Sequence, residues 1–208
     1  NIKNIIFDLG GVILNIDYNL AAKAFEDLGI ENFDVQYSKL KQSTLFDDLE
    51  TGKISEDDFV EAIQALSDKK IKRKEILEAW NAMLLNFPIR RLQILQQLQL
   101  YYNTYLCSNT NEIHELAFNK ELKQTCGYDS LAPFFDQMYL SHRVGKRKPN
   151  DDIFLQILKE NKLKPEETVF IDDSIQHIET AKKLGIQTIH VCNGMTMEND
   201  IFKQKTIL

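Results

Sequence analysis

Three carboxylates, a hydroxyl and an ammonium stand at corresponding places along the chain. Asp8 follows the apolar run Asn4-Ile5-Ile6-Phe7, Ser108 and Asn109 follow Thr104-Tyr105-Leu106-Cys107, and Asp172-Asp173 follow Thr168-Val169-Phe170-Ile171. Lys148 lies in Gly145-Lys146-Arg147-Lys148-Pro149, the loop after Gln137-Met138-Tyr139-Leu140. Each has a plain structural reading as well: a turn Asp, a helix N-cap Ser, an acidic pair favoured by a helix dipole, a solvated basic loop. Their recurrence at successive strand ends points instead to a single site. Three crowded carboxylates repel one another unless a hard cation lies between them, and Mg²⁺ with oxygen ligands meets that need. Such a set suits phosphoryl transfer. An Asp attacks as nucleophile, Ser108 and a backbone N–H hold phosphoryl oxygens, and Lys148 offsets the negative charge.

The elements that must position these groups alternate. A first strand ends at Asp8 and opens into Gly10-Gly11. From about Asn19 to Leu85 the pattern is helical, with Leu20, Ala21, Ala24, Phe25 and Leu28 on one helix and Phe59, Ile63 and Leu66 on another. Ser55 and Asp58 form a capping-box pattern there, and Ile76, Leu77, Trp80 and Leu84 mark a third helix. Helix and strand then alternate through Leu92–Leu98, Asn103–Cys107, a helix from Asn111, Gln137–Leu140, Ile153–Leu158, Thr168–Ile171, Ile178–Leu184 and Gln187–Val191. This order predicts an α/β fold: a Rossmann-like parallel sheet with helices on both faces, plus a small α-helical cap inserted after the first strand. The expected division is 1–17 and 86–208 for the catalytic core and 18–85 for the cap. In such sheets ligands bind beyond the C-terminal strand ends, where the chemistry-bearing residues fall.

Composition narrows the partners. The chain has 208 residues with 25 Lys+Arg against 31 Asp+Glu, a net charge of −6, which offers no global attraction to nucleic acid or an anionic membrane. No apolar run approaches the roughly 20 residues that span a bilayer. The 3 cysteines have neither zinc-site spacing nor disulfide density, and a cytoplasmic location is expected. His114, His142, His177 and His190 show no metal-ligand spacing; His177 reads as a hydrogen-bonding residue near the site, and His142 with Arg143 as lining its entrance.

In this order the motifs resemble the haloacid dehalogenase-like hydrolase superfamily. They are Phe7-Asp8-Leu9-Gly10-Gly11-Val12, Leu106-Cys107-Ser108-Asn109, Lys148-Pro149 and Phe170-Ile171-Asp172-Asp173-Ser174. The helical insertion stands where that superfamily places a helical cap. Together with Glu50-Thr51-Gly52-Lys53-Ile54-Ser55 they look most like its α-glucose-1-phosphate phosphatase-type branch. The resemblance implies a Mg²⁺-dependent phosphomonoester hydrolase acting on a small phosphorylated metabolite, a sugar phosphate by preference, through an aspartyl-phosphate on Asp8. It further implies Asp8, the Gly10 carbonyl and Asp173 as metal ligands, with Asp172 direct or through water. Ser108 and Lys148 would hold the phosphoryl group, helped by the backbone at Gly11 and Asn109.

One position departs. Where the family's phosphatases carry a second Asp, two residues after the nucleophile, this chain has Gly10. That Asp protonates the leaving oxygen and activates water, and its loss costs about 10²–10⁴-fold in rate if nothing replaces it. Three expectations follow. The chain is a phosphatase whose substrate has an acidic leaving group, such as a sugar 1-phosphate, with Asp17 or water supplying the rest; or it binds a metabolite or protein without turnover; or it is a 2-haloacid dehalogenase. The retained Asp172-Asp173 pair argues against the last, since dehalogenases work without metal.

Overall fold

In the computed structural model, residues 1–203 are described. The elements are β1 (Asn4–Phe7), α1 (Tyr18–Asp27), α2 (Phe33–Gln42), α3 (Leu45–Glu50), α4 (Glu56–Gln64), α5 (Arg73–Asn81), α6 (Ile89–Leu98), β2 (Asn103–Ser108), α7 (Glu112–Cys126), β3 (Gln137–Leu140), α8 (Ser141–Val144), α9 (Asp151–Glu160), β4 (Thr168–Asp172), α10 (Ile175–Lys183) and β5 (Gln187–His190). The strands form one parallel sheet in the order β3-β2-β1-β4-β5. Chain order runs outward from β1 through β2 to β3, then returns to β4 on β1's other side. That reversal opens a crevice at the carboxyl ends of β1 and β4.

Side-chain alternation along each strand builds a core on both faces. Ile5, Phe7, Leu106 and Ile171 pack with Leu92 and Leu95 of α6 and Phe118 and Leu122 of α7. Ile6, Tyr105, Cys107 and Phe170 pack on the other side with Ile153, Phe154 and Ile157 of α9 and Ile178 of α10. Each such large apolar side chain contributes about 1.5–3 kcal/mol by leaving water.

The helices α1 to α5 have their own apolar cluster, including Phe25, Phe33, Leu49, Phe59, Ile63, Ile76 and Trp80, which meets α7 through Ile113. Ser55 caps α4 with the reciprocal Ser55–Asp58 capping box that the sequence suggests. The stretches entering and leaving this helical segment run side by side: Asp17 N–H donates to Met83 O, Leu85 N–H to Asn15 O and Asn15 N–H to Asn86 O, each at 2.9 Å. Below α5, His114 bonds through Nε2 to Trp80 O at 3.2 Å and stacks on the indole. Burial there holds its imidazole down to about 4, a neutral packing residue. Among the described residues no helix is long and apolar enough to cross a membrane.

Candidate active site

Strand register brings the chemistry together. Phe7 pairs with both Leu106 and Ile171, so Asp8, Ser108 and Asp172 emerge at one edge of the sheet. Asp8 continues the pairing one step further, donating its N–H to Ile171 O at 2.9 Å. Ser108 is buried as the last residue of β2.

Lys148 is the centre of the arrangement. It is fully buried, and its Nζ donates to Asp8 Oδ1 at 2.9 Å and to Asp172 Oδ2 at 2.7 Å. Asn109 fixes the lysine's backbone from both sides: Lys148 N–H donates to Asn109 Oδ1 at 2.9 Å, and Asn109 Nδ2 donates to Lys148 O at 2.8 Å. A loop residue is thus held as firmly as a strand residue. Burial disfavours the ammonium, but Asp8 and then Asp172 outweigh it and keep Lys148 charged.

The carboxylates are less well balanced. One oxygen from each of Asp8, Asp172 and Asp173 lies within 4.8 Å of the others. Burial, aided by the charges of Asp172 and Asp173 and opposed by Lys148, pushes the Asp8 carboxyl up to about 8. Asp173 is exposed, yet its crowded surroundings and then the Asp172 charge raise its carboxyl. Asp172 goes the other way: burial works against its charge, but Lys148 and His177 hold it below the usual carboxylate range. One lysine therefore does not neutralise three acids, and the donor set fits a small hard cation. Gly11 supports this fit. Its φ is +80°, and a Cβ there would collide with the Asp173 carboxylate, so only glycine leaves Asp173 room beside Asp8.

This electrostatics has a measurable consequence. Between the ordinary carboxyl value of 3.8 and about 8, the metal-free native chain holds a proton on Asp8 that the unfolded chain has lost. Stability from that group is therefore complete below the lower value and falls as pH rises through the upper one. A divalent cation held by these carboxylates would displace that proton, so its binding would release protons at neutral pH and tighten toward pH 8, by up to about tenfold per pH unit. Calorimetry in two buffers of different ionisation enthalpy reads this directly; equal heats in both would mean that Asp8 is already ionised.

Several expected contributors sit differently from their sequence reading. Gly11 donates its N–H to Leu14 O at 2.9 Å, so the amide expected to meet a phosphoryl oxygen is already engaged. Asn109, expected to contribute through its backbone, also uses its side chain to hold Lys148. At Gly10 a Cβ would fall 2.9 Å from Ile16 Cδ1: the space beside a side chain at that position is filled by Ile16, an apolar group. Asp17, expected as a stand-in acid, accepts from Asn19 N–H at 3.0 Å and caps α1. His142 and Arg143 turn away to Glu115 of α7.

Other groups complete the surroundings of the site, and His177 among them makes the kind of contact its place in the sequence suggests. His177 Nδ1 lies 3.0 Å from Asp172 Oδ2, which also receives Lys148, while Ser174 N–H donates to Asp172 Oδ1 at 2.7 Å. Arg147, next to Lys148, reaches Glu50 Oε2 at 2.8 Å and Asp47 Oδ1 at 3.1 Å, tying α3 to the lysine loop. At the adjoining turn a Cβ on Gly52, whose φ is +72°, would overlap the backbone carbonyl of His142, so α3 approaches α8 as closely as glycine permits. Tyr18, at the start of α1, is largely exposed and stands near the carboxylates of Asp173, Asp8 and Glu50.

Comparison with known proteins agrees with this geometry. The haloacid dehalogenase-like hydrolase family matches residues 2–185. A D-ribitol-5-phosphate phosphatase of Bacteroides thetaiotaomicron is 34% identical over 201 residues, covering 96% of this chain and 97% of its own. A glyceraldehyde 3-phosphate phosphatase of Methanocaldococcus jannaschii is 29% identical, covering 99% of this chain and 92% of its own. A solved enzyme of the same family from Bacteroides thetaiotaomicron, in complex with magnesium and inorganic phosphate, superimposes with a TM-score of 0.85 at 31% identity over 94% of this chain and 96% of that one. With its parallel sheet, its four motifs at the strand ends and a match over most of its length, the chain belongs to the haloacid dehalogenase-like hydrolase family.

Proposed function

We propose that the chain is a Mg²⁺-dependent phosphomonoester hydrolase acting on a small sugar or polyol phosphate, with Asp8 as nucleophile. The observation that carries this reading is Lys148, buried between Asp8 and Asp172 with Asp173 alongside. The relatives named above for D-ribitol 5-phosphate and glyceraldehyde 3-phosphate support the substrate class. Asp8, Asp173 and the Gly10 carbonyl would hold the cation. Asp172, whose Oδ2 already accepts two hydrogen bonds, would act directly through Oδ1 or through water. When bound, Mg²⁺ neutralises charge shared by the Asp8 carboxylate and the phosphoryl oxygens.

An Asp8 oxygen attacks phosphorus as the ester P–O bond breaks, and the leaving oxygen departs with the bonding pair. Lys148 offsets charge on Asp8 throughout, and Ser108 donates to a phosphoryl oxygen. Water then attacks the aspartyl-phosphate at phosphorus, frees inorganic phosphate and restores Asp8. The helical segment 18–85 acts as the cap, latched at Arg147–Glu50, and excludes bulk water from this step. The three cysteines are free, which fits a cytoplasmic setting.

With Ile16 beside Gly10, no carboxyl group protonates the leaving oxygen from that side. Rates therefore depend steeply on the leaving group. Expected is hydrolysis of p-nitrophenyl phosphate at least about 10²-fold faster than of a simple alkyl phosphate. The double variant Gly10→Asp/Ile16→Val, which adds a carboxyl and makes room for it, narrows that gap by raising the alkyl substrate alone. Equal rates for both substrates in the unaltered chain would mean that another proton donor is in place. Absence of turnover on every phosphate ester, with Mg²⁺ still bound, would favour a phosphate-binding module instead.

Opening the latch has a smaller effect. Arg147→Ala removes a half-buried ion pair worth at most about 1 kcal/mol. It should raise KM several-fold with little change in the stability of the sheet, as steady-state kinetics and a thermal melt would show; an unchanged KM would rule out the latch.

A further inference from the structure

Among the described residues two lysine or arginine side chains are buried, Lys148 and Arg91, and the phosphoryl chemistry uses the first alone. Arg91 lies in the first turn of α6, and its guanidinium faces two ways. Nε donates to Glu198 Oε2 at 2.8 Å, in the helical turn Met197–Ile201 that follows β5. Nη1 donates to Asn15 Oδ1 at 3.0 Å and, more distantly, to Ile13 O at 3.4 Å. Asn15 turns its other polar groups to the stretch that leaves the helical segment. Its N–H donates to Asn86 O at 2.9 Å, its O accepts from Leu85 N–H at 2.9 Å, and its Nδ2 donates to Asn86 Oδ1 at 3.2 Å. A guanidinium only donates, so it holds the Asn15 amide oxygen toward α6 and leaves Nδ2 to face Asn86. A buried ion pair adds little stability over apolar residues of the same volume, whereas the planar fork of an arginine fixes the direction of both its contacts.

We propose that Arg91 is a positioning residue for the hinge of the cap: held by Glu198, it orients Asn15 and so fixes where the two linkers cross. Residues 15–17 lead into the segment 18–85 and residues 83–86 lead out of it, so the crossing at Asn15 and Asn86 sets the angle at which the cap meets the sheet. With the crossing fixed, α3 reaches Arg147 in the lysine loop; with it loose, that approach is populated less. The consequence for hydrolysis rests on the function proposed above, whereas the hinge itself does not.

Hydrogen exchange read by mass spectrometry on the full chain tests the hinge without turnover. In Arg91→Met, peptides spanning 14–18 and 82–87 are expected to exchange about tenfold faster, while β1 and β4 keep their protection. Asn15→Ala leaves the Glu198–Arg91 pair in place and gives the same local change, and it serves should Arg91→Met fold poorly. Both variants should raise KM for p-nitrophenyl phosphate several-fold with kcat within about twofold, a split that a loss of stability alone does not produce. If the parent chain turns over no phosphate ester, the hydrolase reading fails and the exchange result still decides the hinge. Linker exchange that is unchanged in a folded variant, or raised equally with that of β1 and β4, would overturn the proposal, as would faster linkers with KM unmoved in an active chain.

Discussion

Asp8→Asn should abolish phosphate release while leaving the fold intact. The amide is close to isosteric with the carboxyl and can still accept from Lys148 at Oδ1, so the buried contact at 2.9 Å survives in form. On the proposed mechanism what disappears is the nucleophile, since a neutral amide oxygen does not form a stable bond to phosphorus. A loss of at least about 10⁴-fold in kcat is expected, the scale seen when a covalent catalyst loses its attacking group. At neutral pH the metal-free parent already holds a proton on Asp8, so the neutral amide replaces a neutral carboxyl and the metal-free variant should be no less stable than the parent. The checks are steady-state phosphate release and a urea melt on the same samples. Residual turnover within about tenfold of the parent would remove Asp8 from the chemistry.

Lys148→Met has its largest effect on stability. The methionine has similar length but no charge, and it leaves Asp8 and the fully buried Asp172 without their cation. Removing one partner of a buried ion pair costs about 3–5 kcal/mol, because the remaining charges stay out of water. His177 and Ser174 N–H still hold Asp172, and Asp8, which loses the lysine that favours its charge, keeps its proton to higher pH than in the parent. Urea melts of the variant should therefore improve as pH falls from 8 toward 6, or when Mg²⁺ is added, since either relieves the same repulsion. A destabilisation below about 1 kcal/mol that responds to neither pH nor Mg²⁺ would contradict the buried lysine's role.

Much of this was legible in the sequence for a simple reason: parallel strands buried on both faces read as apolar runs, and the residue after each run lands at the crevice. Asp8, Ser108 and the acidic pair follow from that rule, and Lys148 from its place in the loop after β3. The helical character of the inserted segment was also clear, but α2 and α3 were not resolved within it, because their apolar residues do not mark a distinct stripe. The contacts around the site were harder to read. His177 was expected near the site from its place on the helix after the acidic pair, but Asp172 as its partner was not named. Arg147 looked like part of a solvated basic loop, since its partners Asp47 and Glu50 lie about a hundred positions earlier in the chain. Gly10 stood out as a departure, but its neighbour Ile16 is brought there by a tight turn in which Ile13 and Leu14 both donate to Leu9 O. Gly11 was read for its amide, whereas its missing Cβ matters to Asp173. In each case the residue type was visible and the partner was not.

The central claim is a covalent bond between Asp8 and phosphorus. Mixing the Mg²⁺-loaded chain with excess p-nitrophenyl phosphate, quenching in acid within the first turnovers and mapping the peptides by mass spectrometry tests it most directly. The account predicts a phosphoryl group on the peptide containing Asp8, at a level that falls once substrate is exhausted and is absent from Asp8→Asn. Phosphate release with no phosphorylated peptide at any quench time, or a phosphoryl group on another residue, would contradict it.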